Sequence, residues 1–325
     1  MRYVIGVDLG GTQLRAIRCD PQGNIVAHAR TDTAATEGPT AVVHQIERLI
    51  AEVRGDESDE AILGVGVGTP GPVDGRTGLI YEAPNLKGFV DVPLKALLVE
   101  RTGLRVSVGN DANVAALGEW LFGSGRGADH FVYVTVSTGI GGGVIVDRSL
   151  LLGRKGIAGE VGHMVVQAGG PRCGCGNEGC WEALASGTAL GRRATEAIAA
   201  GEPTILRDAA GEGPVTAVHV ALAAAANDPL ARRLMEREGE LIGLGLVNIL
   251  HLFSPEVIAL GGGVMKSASL LFPAMRRVVA ERAMTVYQDA HVELATLADR
   301  TGVLGAAALI LAPHHGGVSP ATDIL

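Results

Sequence analysis

Residues Tyr3–Cys19 read YVIGVDLGGTQLRAIRC. YVIGVDLG has the apolar run of a buried strand, the glycines after Asp8 make a tight turn, and TQLRAIRC is a second strand. DPQGN turns the chain again, and IVAHARTDT is a third strand. The pattern returns about 130 residues later. There HFVYVTVS is a strand, TGIGG a glycine turn, GVIVD a strand, RS a turn and LLLG a strand. Each unit opens a segment with later helices. The sequence therefore predicts an internal structural repeat, although few residues are shared between the copies.

The remaining elements fit two α/β halves. PTAVVHQIERLIAEV has apolar residues at helical spacing, and AILGVGVGTPG is a buried strand ending in glycines. DVPLKALLVERTG reads as a short helix with Asp91 as its cap and Gly103 ending it. LRVSVGND is a strand and ANVAALGEWLFG a helix. After a cysteine-rich loop come the helices SGTALGRRATEAIAAG, TAVHVALAAAAND and DPLARRLMEREGELIGLGLVNILHLF. PEVIALGGGV is a buried strand, RTGVLGAAALILA a last small-residue helix, and the tail after Pro313 is expected to fray.

A chain of 325 residues exceeds the size at which one core keeps growing, so two domains are expected. The net charge of −8 argues against non-specific nucleic-acid binding, which needs a basic surface. The longest apolar stretch, LIGLGLVNILHLF, has 13 residues, too short to span a membrane. MRYVIGVDLGG is not a signal peptide, and a cytoplasmic protein is expected.

Three of the four cysteines, Cys173, Cys175 and Cys180, fall in PRCGCGNEGCWE, and His163 precedes them in GEVGHMVV. One imidazole and three thiolates are a normal set for structural Zn²⁺, with no position left for an activated water. The other reading is a redox pair or free thiols. Cys19 lies alone in an apolar strand and is expected to be buried.

Backbone N–H groups at Gly10, Gly11 and Thr12 can cradle an anion, and Thr138, Gly139, Gly141 and Gly142 can do the same in the second copy. Neither stretch fits the Walker pattern. Gly261, Gly262 and Gly263 end a strand and can take an adenine ring and ribose. Asp8 suits Mg²⁺ carried by phosphates, through water; a turn-capping role is the alternative. Asn110 and Asp111 stand where a strand meets a helix, and the helix N-terminus keeps a carboxylate there ionised. Asp111 reads as a simple cap or as a base toward an alcohol. Glu160, His163 and Glu182, tied to the cysteine loop, suit sugar hydroxyls, and Asn85 in YEAPNLKGF adds a polar contact.

Taken together, GVDLGGTQLRA, GTPGPVD, APNLKGF, NDANVAALGE, VSTGIGGGVIVD, GIAGEVGHMVV, CGCGNEGCWE and IALGGGV resemble the ROK family (repressors, open reading frames, kinases), in particular its bacterial glucokinase-type sugar kinases. The likeness runs from about residue 4 to 310. It implies a two-lobed actin-like (ribonuclease H-like) α/β fold with a structural zinc loop and ATP in the cleft. The implied small lobe is 1–112 plus 303–325, and the implied large lobe is 113–302 with the zinc loop 163–182. The resemblance implies transfer of the γ-phosphoryl of Mg·ATP to the glucose 6-hydroxyl with Asp111 as base. Gly71, Asn85, Asn110, Asp111, Glu160, His163 and Glu182 would contact sugar, and His163, Cys173, Cys175 and Cys180 would hold zinc. Asp8, Gly10, Gly11, Thr12, Gln13, Thr138, Gly139, Gly141 and Gly261–Gly263 would meet the nucleotide. Gln13 departs from the lysine many relatives carry, which leaves polyphosphate open as donor. Kinases for N-acetylglucosamine, N-acetylmannosamine, fructose or allose share these motifs. Sugar-sensing repressors of the family carry an N-terminal winged helix, which is not expected with the first strand at about Tyr3. A filament-forming actin relative has no use for the zinc or the sugar-facing carboxylates. A homodimer or homotetramer is expected.

Overall fold

The computed structural model describes residues 1–312 apart from 212 and 288; the tail beyond Pro313 lies outside the described residues. The chain divides into two units. The first holds Met1–Asp129, Ile145–Ala158 and the chain from Asp299 onward; the second holds His130–Val144 and Gly159–Ala298.

The chain opens with β1 (Tyr3–Leu9), β2 (Gln13–Cys19), β3 (Ile25–Asp32), α1 (Pro39–Arg54) and β4 (Ile62–Thr69). It continues with β5 (Val73–Asp74), β6 (Leu79–Glu82), β7 (Val90–Pro93), α2 (Leu94–Thr102), β8 (Val106–Asn110) and α3 (Asp111–Phe122). The main sheet runs β3-β2-β1-β4-β8. β1 pairs antiparallel with β2 across the glycine turn, and β4 lies parallel between β1 and β8. β1 is buried almost throughout, as expected of a strand covered on both faces. On α1, Val42, Val43, Ile46, Leu49, Ile50 and Val53 follow helical spacing and are buried, so one stripe seals this side of the core. Cys19 is fully buried, and that burial pushes its thiol up to about 12.

The second sheet repeats the plan of the first. β9 (Phe131–Val136), β10 (Ile140–Val146) and β11 (Ser149–Leu150) are followed by α4 (Trp181–Ala185), α5 (Gly187–Ala199), α6 (Leu206–Ala210), α7 (Ala217–Ala225) and α8 (Pro229–Phe253). β12 (Val257–Gly261), α9 (Ala268–Arg282) and β13 (His291–Leu294) complete it, and α10 (Thr301–Leu311) belongs to the first unit. The sheet order β11-β10-β9-β12-β13 is the first sheet's third-second-first-fourth-fifth order again. No helix among the described residues is long and apolar enough to cross a membrane.

Close packing of α10 fixes α3. A Cβ on Gly66 of β4 would lie 1.7 Å from the Ala306 carbonyl oxygen, and one on Gly305 would lie 2.1 Å from that of Val114. Only glycine lets the last helix press onto the sheet and onto α3 together.

Several sequence expectations need correction. Asp91 does not cap α2: it lies in β7 with φ of 51°, and Pro93 holds the cap position. LLLG is not a full strand, since β11 stops at Leu150. The second glycine turn closes early, because the Ser137 N–H donates to the Gly139 carbonyl at 2.8 Å and β10 begins at Ile140. Gly141 and Gly142 therefore lie in the strand rather than in the turn. The small sheet β5-β6-β7 and the helix α9, which carries Pro273 in its interior, were not anticipated.

Candidate active site

In the first unit the glycine turn is closed by the Gly10 N–H donating to the Gln13 carbonyl at 2.9 Å. Gly11 packs so tightly on Asn85 that an added Cβ would lie 3.0 Å from the asparagine Cβ. Thr12, Gln13 and Asn85 are exposed. Asp8 stands opposite Arg15 in the β1–β2 register, and Arg15 donates to Asp8 Oδ2 from Nε at 3.2 Å and from Nη2 at 2.5 Å. A third Arg15 nitrogen donates to the Asp299 carbonyl at 2.9 Å. These bonds hold the carboxylate by Oδ2.

Asn110, not Asp111, caps α3. Its Oδ1 accepts from the N–H groups of Ala112 at 2.9 Å and Asn113 at 3.4 Å. Its Nδ2 donates to the Gly71 carbonyl at 2.9 Å, which ties the GTPGP loop to the start of the helix. Gly71 itself has φ of 88°, and a Cβ there would lie 1.9 Å from the Glu82 carbonyl oxygen. Asp111 is the first residue of α3 and is exposed; its Oδ1 also accepts from the Ala112 N–H, at 2.8 Å. The positive end of the helix dipole favours its ionised form.

In the second unit His163, Cys173, Cys175 and Cys180 place their four ligand atoms within 4.8 Å of one another. The edges are informative. Tetrahedral zinc with Zn–S of about 2.3 Å demands S···S separations of about 3.8 Å and slightly shorter N···S ones. Cys175 and Cys180 are 3.7 Å apart, and His163 Nδ1 is 3.6 Å from Cys173 Sγ. The donor set and these two separations fit a tetrahedral metal. Burial pushes the Cys180 thiol up to about 12 and raises that of Cys173, whereas the Asn177 backbone lowers that of Cys175. A bound cation reverses such costs by holding the sulfurs as thiolates.

Glu182 links this cluster to the glycine turn. Its Oε2 accepts from the Ile140 N–H at 2.9 Å, and its Oε1 lies 3.8 Å from Cys173 Sγ. A Cβ on Gly139 would lie 2.3 Å from Oε2, so the turn leaves room for that carboxylate only as glycine. Glu160 is exposed at the start of the turn Val161–His163. Cys180 is the N-cap residue of α4, and the adjoining Trp181 is fully buried, its indole N–H donating to the Leu241 carbonyl at 2.9 Å.

A cavity of about 770 Å³ in the same unit is lined by Thr138 from the glycine turn, Thr188 of α5, Val218 and Leu222 of α7, and Gly263 and Lys266 after β12. Val218 and Leu222 are large, exposed apolar side chains that make a wall suited to a flat ring. Of the expected nucleotide residues, Thr138 and Gly263 line this cavity, whereas Gly139, Gly141, Gly261 and Gly262 do not. Gly262 serves the backbone: its φ is 93°, and a Cβ would lie 2.3 Å from the Val136 carbonyl oxygen. The walls from α5 and α7, and Lys266, were missed. SGT at the start of α5 signals only a helix start in the sequence, yet Ser186 caps that helix and the Thr188 hydroxyl donates to the Thr138 carbonyl at 2.7 Å.

The family model for the ROK family matches residues 4–312. A glucokinase of Thermotoga maritima is 37% identical over 94% of this chain and 96% of its own. A ROK hexokinase structure from Thermus thermophilus superposes with TM-score 0.80 at 36% identity, over 94% of this chain and 97% of that one. A ROK glucokinase from Streptomyces griseus, solved with glucose and AMPPNP, gives 0.77 at 34% identity, over 94% and 98%. The chain belongs to the ROK family, and its mixed α/β architecture is that of the family's sugar kinases.

Proposed function

We propose that this protein is a glucokinase that transfers the γ-phosphoryl of ATP to the 6-hydroxyl of glucose. The near-full-length match to glucokinases carries this reading, and each residue expected to act is present in the sequence. Asp111, ionised at a helix start, orients the 6-hydroxyl and accepts its proton. The hydroxyl oxygen bonds the γ-phosphorus as the bond to the leaving ADP oxygen breaks. Such a transition state is loose, so positioning and charge neutralisation outweigh base strength. Asp8 would hold Mg²⁺ through water, and that ion supplies charge neutralisation on the phosphates. Asn85, Asn110, the Gly71 loop, Glu160, Glu182 and His163, through Nε2, are the groups that would bind the sugar. Zn²⁺ on His163, Cys173, Cys175 and Cys180 would fix the loop that carries these groups; it has no open position for chemistry. Adenine lies against Val218 and Leu222, with the cytoplasm supplying ATP.

ADP release measured over glucose, fructose, N-acetylglucosamine and N-acetylmannosamine, with ATP and again with polyphosphate, tests the reading. Glucose with ATP should give the highest kcat/KM. A higher value for an N-acetylhexosamine would move the assignment to that sugar, and no release with any of them would remove the kinase reading.

A further inference from the structure

A second cavity, also about 770 Å³, lies wholly within the first unit and shares only Asn110 with the residues assigned above. That volume falls in the range of about 300–1,000 Å³ usual for small-molecule sites. Its floor is the open edge of β8, which pairs with β4 on one side and with no described strand on the other. Val99, Leu117, Trp120, Leu150, Leu152 and Leu309 give it apolar walls.

Two polar features say what completes it. Four basic side chains, Arg76, Lys95, Arg105 and Arg148, line the cavity and no acidic one does, in a chain of net charge −8. Arg76 and Arg148 share charge with Asp74 and Asp129, and the Lys95 ammonium donates to the Arg76 carbonyl. Arg105 is exposed and has no side-chain partner among the described residues. Deeper in, Asn113 is 5% exposed and its Oδ1 is buried without a hydrogen-bond partner. Buried acceptors are rarely left so, and a ligand that brings a donor can complete this one.

We propose that this cavity is a regulatory site for an amphipathic organic anion, a hydrocarbon body bearing a phosphate or carboxylate. The body fills the apolar walls, the anion meets Arg105 and Lys95, and a hydroxyl or amide on the body reaches Asn113. Occupancy acts on Asn110, which lines the cavity while it caps α3 and holds the Gly71 carbonyl. The regulatory half rests on the glucose reading; the binding half does not.

Isothermal titration of the whole protein with octyl phosphate and with octanoate tests both anion types, with AMPPNP present to fill the nucleotide cavity. Saturable one-to-one binding is expected for at least one of the anions, with none for octyltrimethylammonium. Affinity should fall about tenfold or more in Arg105→Glu and be kept in Arg105→Lys. Binding that is equal in Arg105→Glu, equal for the cationic probe, or absent overturns the site. In kinetics, the bound anion should shift the glucose KM about twofold or more in the native protein and not in Arg105→Glu. Binding as expected with an unmoved KM overturns the regulatory half and leaves the site. A protein that phosphorylates no sugar refutes the kinase reading, while the titration still decides the cavity.

Discussion

Asn110 performs two tasks with one amide, and substitution separates them. Its oxygen caps α3, and its nitrogen holds the Gly71 carbonyl at 2.9 Å. Asn110→Ala removes both. Loss of the cap costs about 1 kcal/mol, and loss of the bond to Gly71 costs about another 1 kcal/mol. For a chain of 325 residues, at about 2.1 cal/mol/K of unfolding entropy per residue, the sum lowers Tm by about 3 °C. Asn110→Asp keeps a good cap, and the helix dipole favours its charge. A carboxylate has no proton to give Gly71, so only the second bond is lost, and the Tm drop should be about half. Both variants loosen the loop that carries Gly71, and about 1 kcal/mol of lost positioning raises the glucose KM about fivefold. The kcat should stay within about twofold, since the carboxylate of Asp111 is untouched. Thermal melts and steady-state ADP release read both quantities. A native glucose KM in Asn110→Asp would refute the link from Asn110 through Gly71 to the sugar, and an unchanged Tm in Asn110→Ala would refute the capping energy.

Asp111→Asn should fold and bind glucose as the native protein does but lose about 10²–10⁴ in kcat; near-normal turnover removes Asp111 from the chemistry. Cys175→Ala should purify with little zinc and a lowered Tm, and elemental analysis finding native zinc content would contradict the ligand set. Glu238 on α8 is fully buried, and burial pushes its carboxyl up to about 7 although Arg193 beside it pulls the other way. The folded state thus holds this proton to higher pH than the unfolded chain, so the Glu238 contribution to stability falls as pH rises from about 4.5 to about 7. Its size is about 3 kcal/mol. Urea unfolding of Glu238→Gln between pH 5 and 8 should show that decline removed, and an identical pH slope in both proteins would count against it.

The strands and glycine turns were legible because their signals are local. YVIGVDLGG and FVYVTVSTG each carry a strand and its turn within a few residues, and both sheets formed around them with the same strand order. The His–Cys cluster was equally open to reading, because three of its four residues lie within eight positions of one another. Tertiary features were not legible. The role of Asn110 depends on Gly71, 39 positions away, so the sequence alone left the cap ambiguous between Asn110 and Asp111. The end of the second turn depends on Glu182, whose carboxylate takes the Ile140 N–H from 42 positions downstream. The ring wall at Val218 and Leu222 looked like ordinary helix surface until α7 was placed beside Gly263 and Lys266. β5 went unseen because two residues carry no periodicity.

Trp181 follows Cys180 directly, and its indole is pressed onto α8, where a Cβ on Gly245 would lie 2.0 Å from the ring. The His–Cys knuckle is thereby wedged into the core by a chromophore, one of only two tryptophans in the chain. With zinc held there as proposed, chelation that loosens the knuckle is expected to shift the emission of this indole, which would then gauge metal occupancy without a label. Release and reloading can be timed by that signal against the rise and fall of turnover.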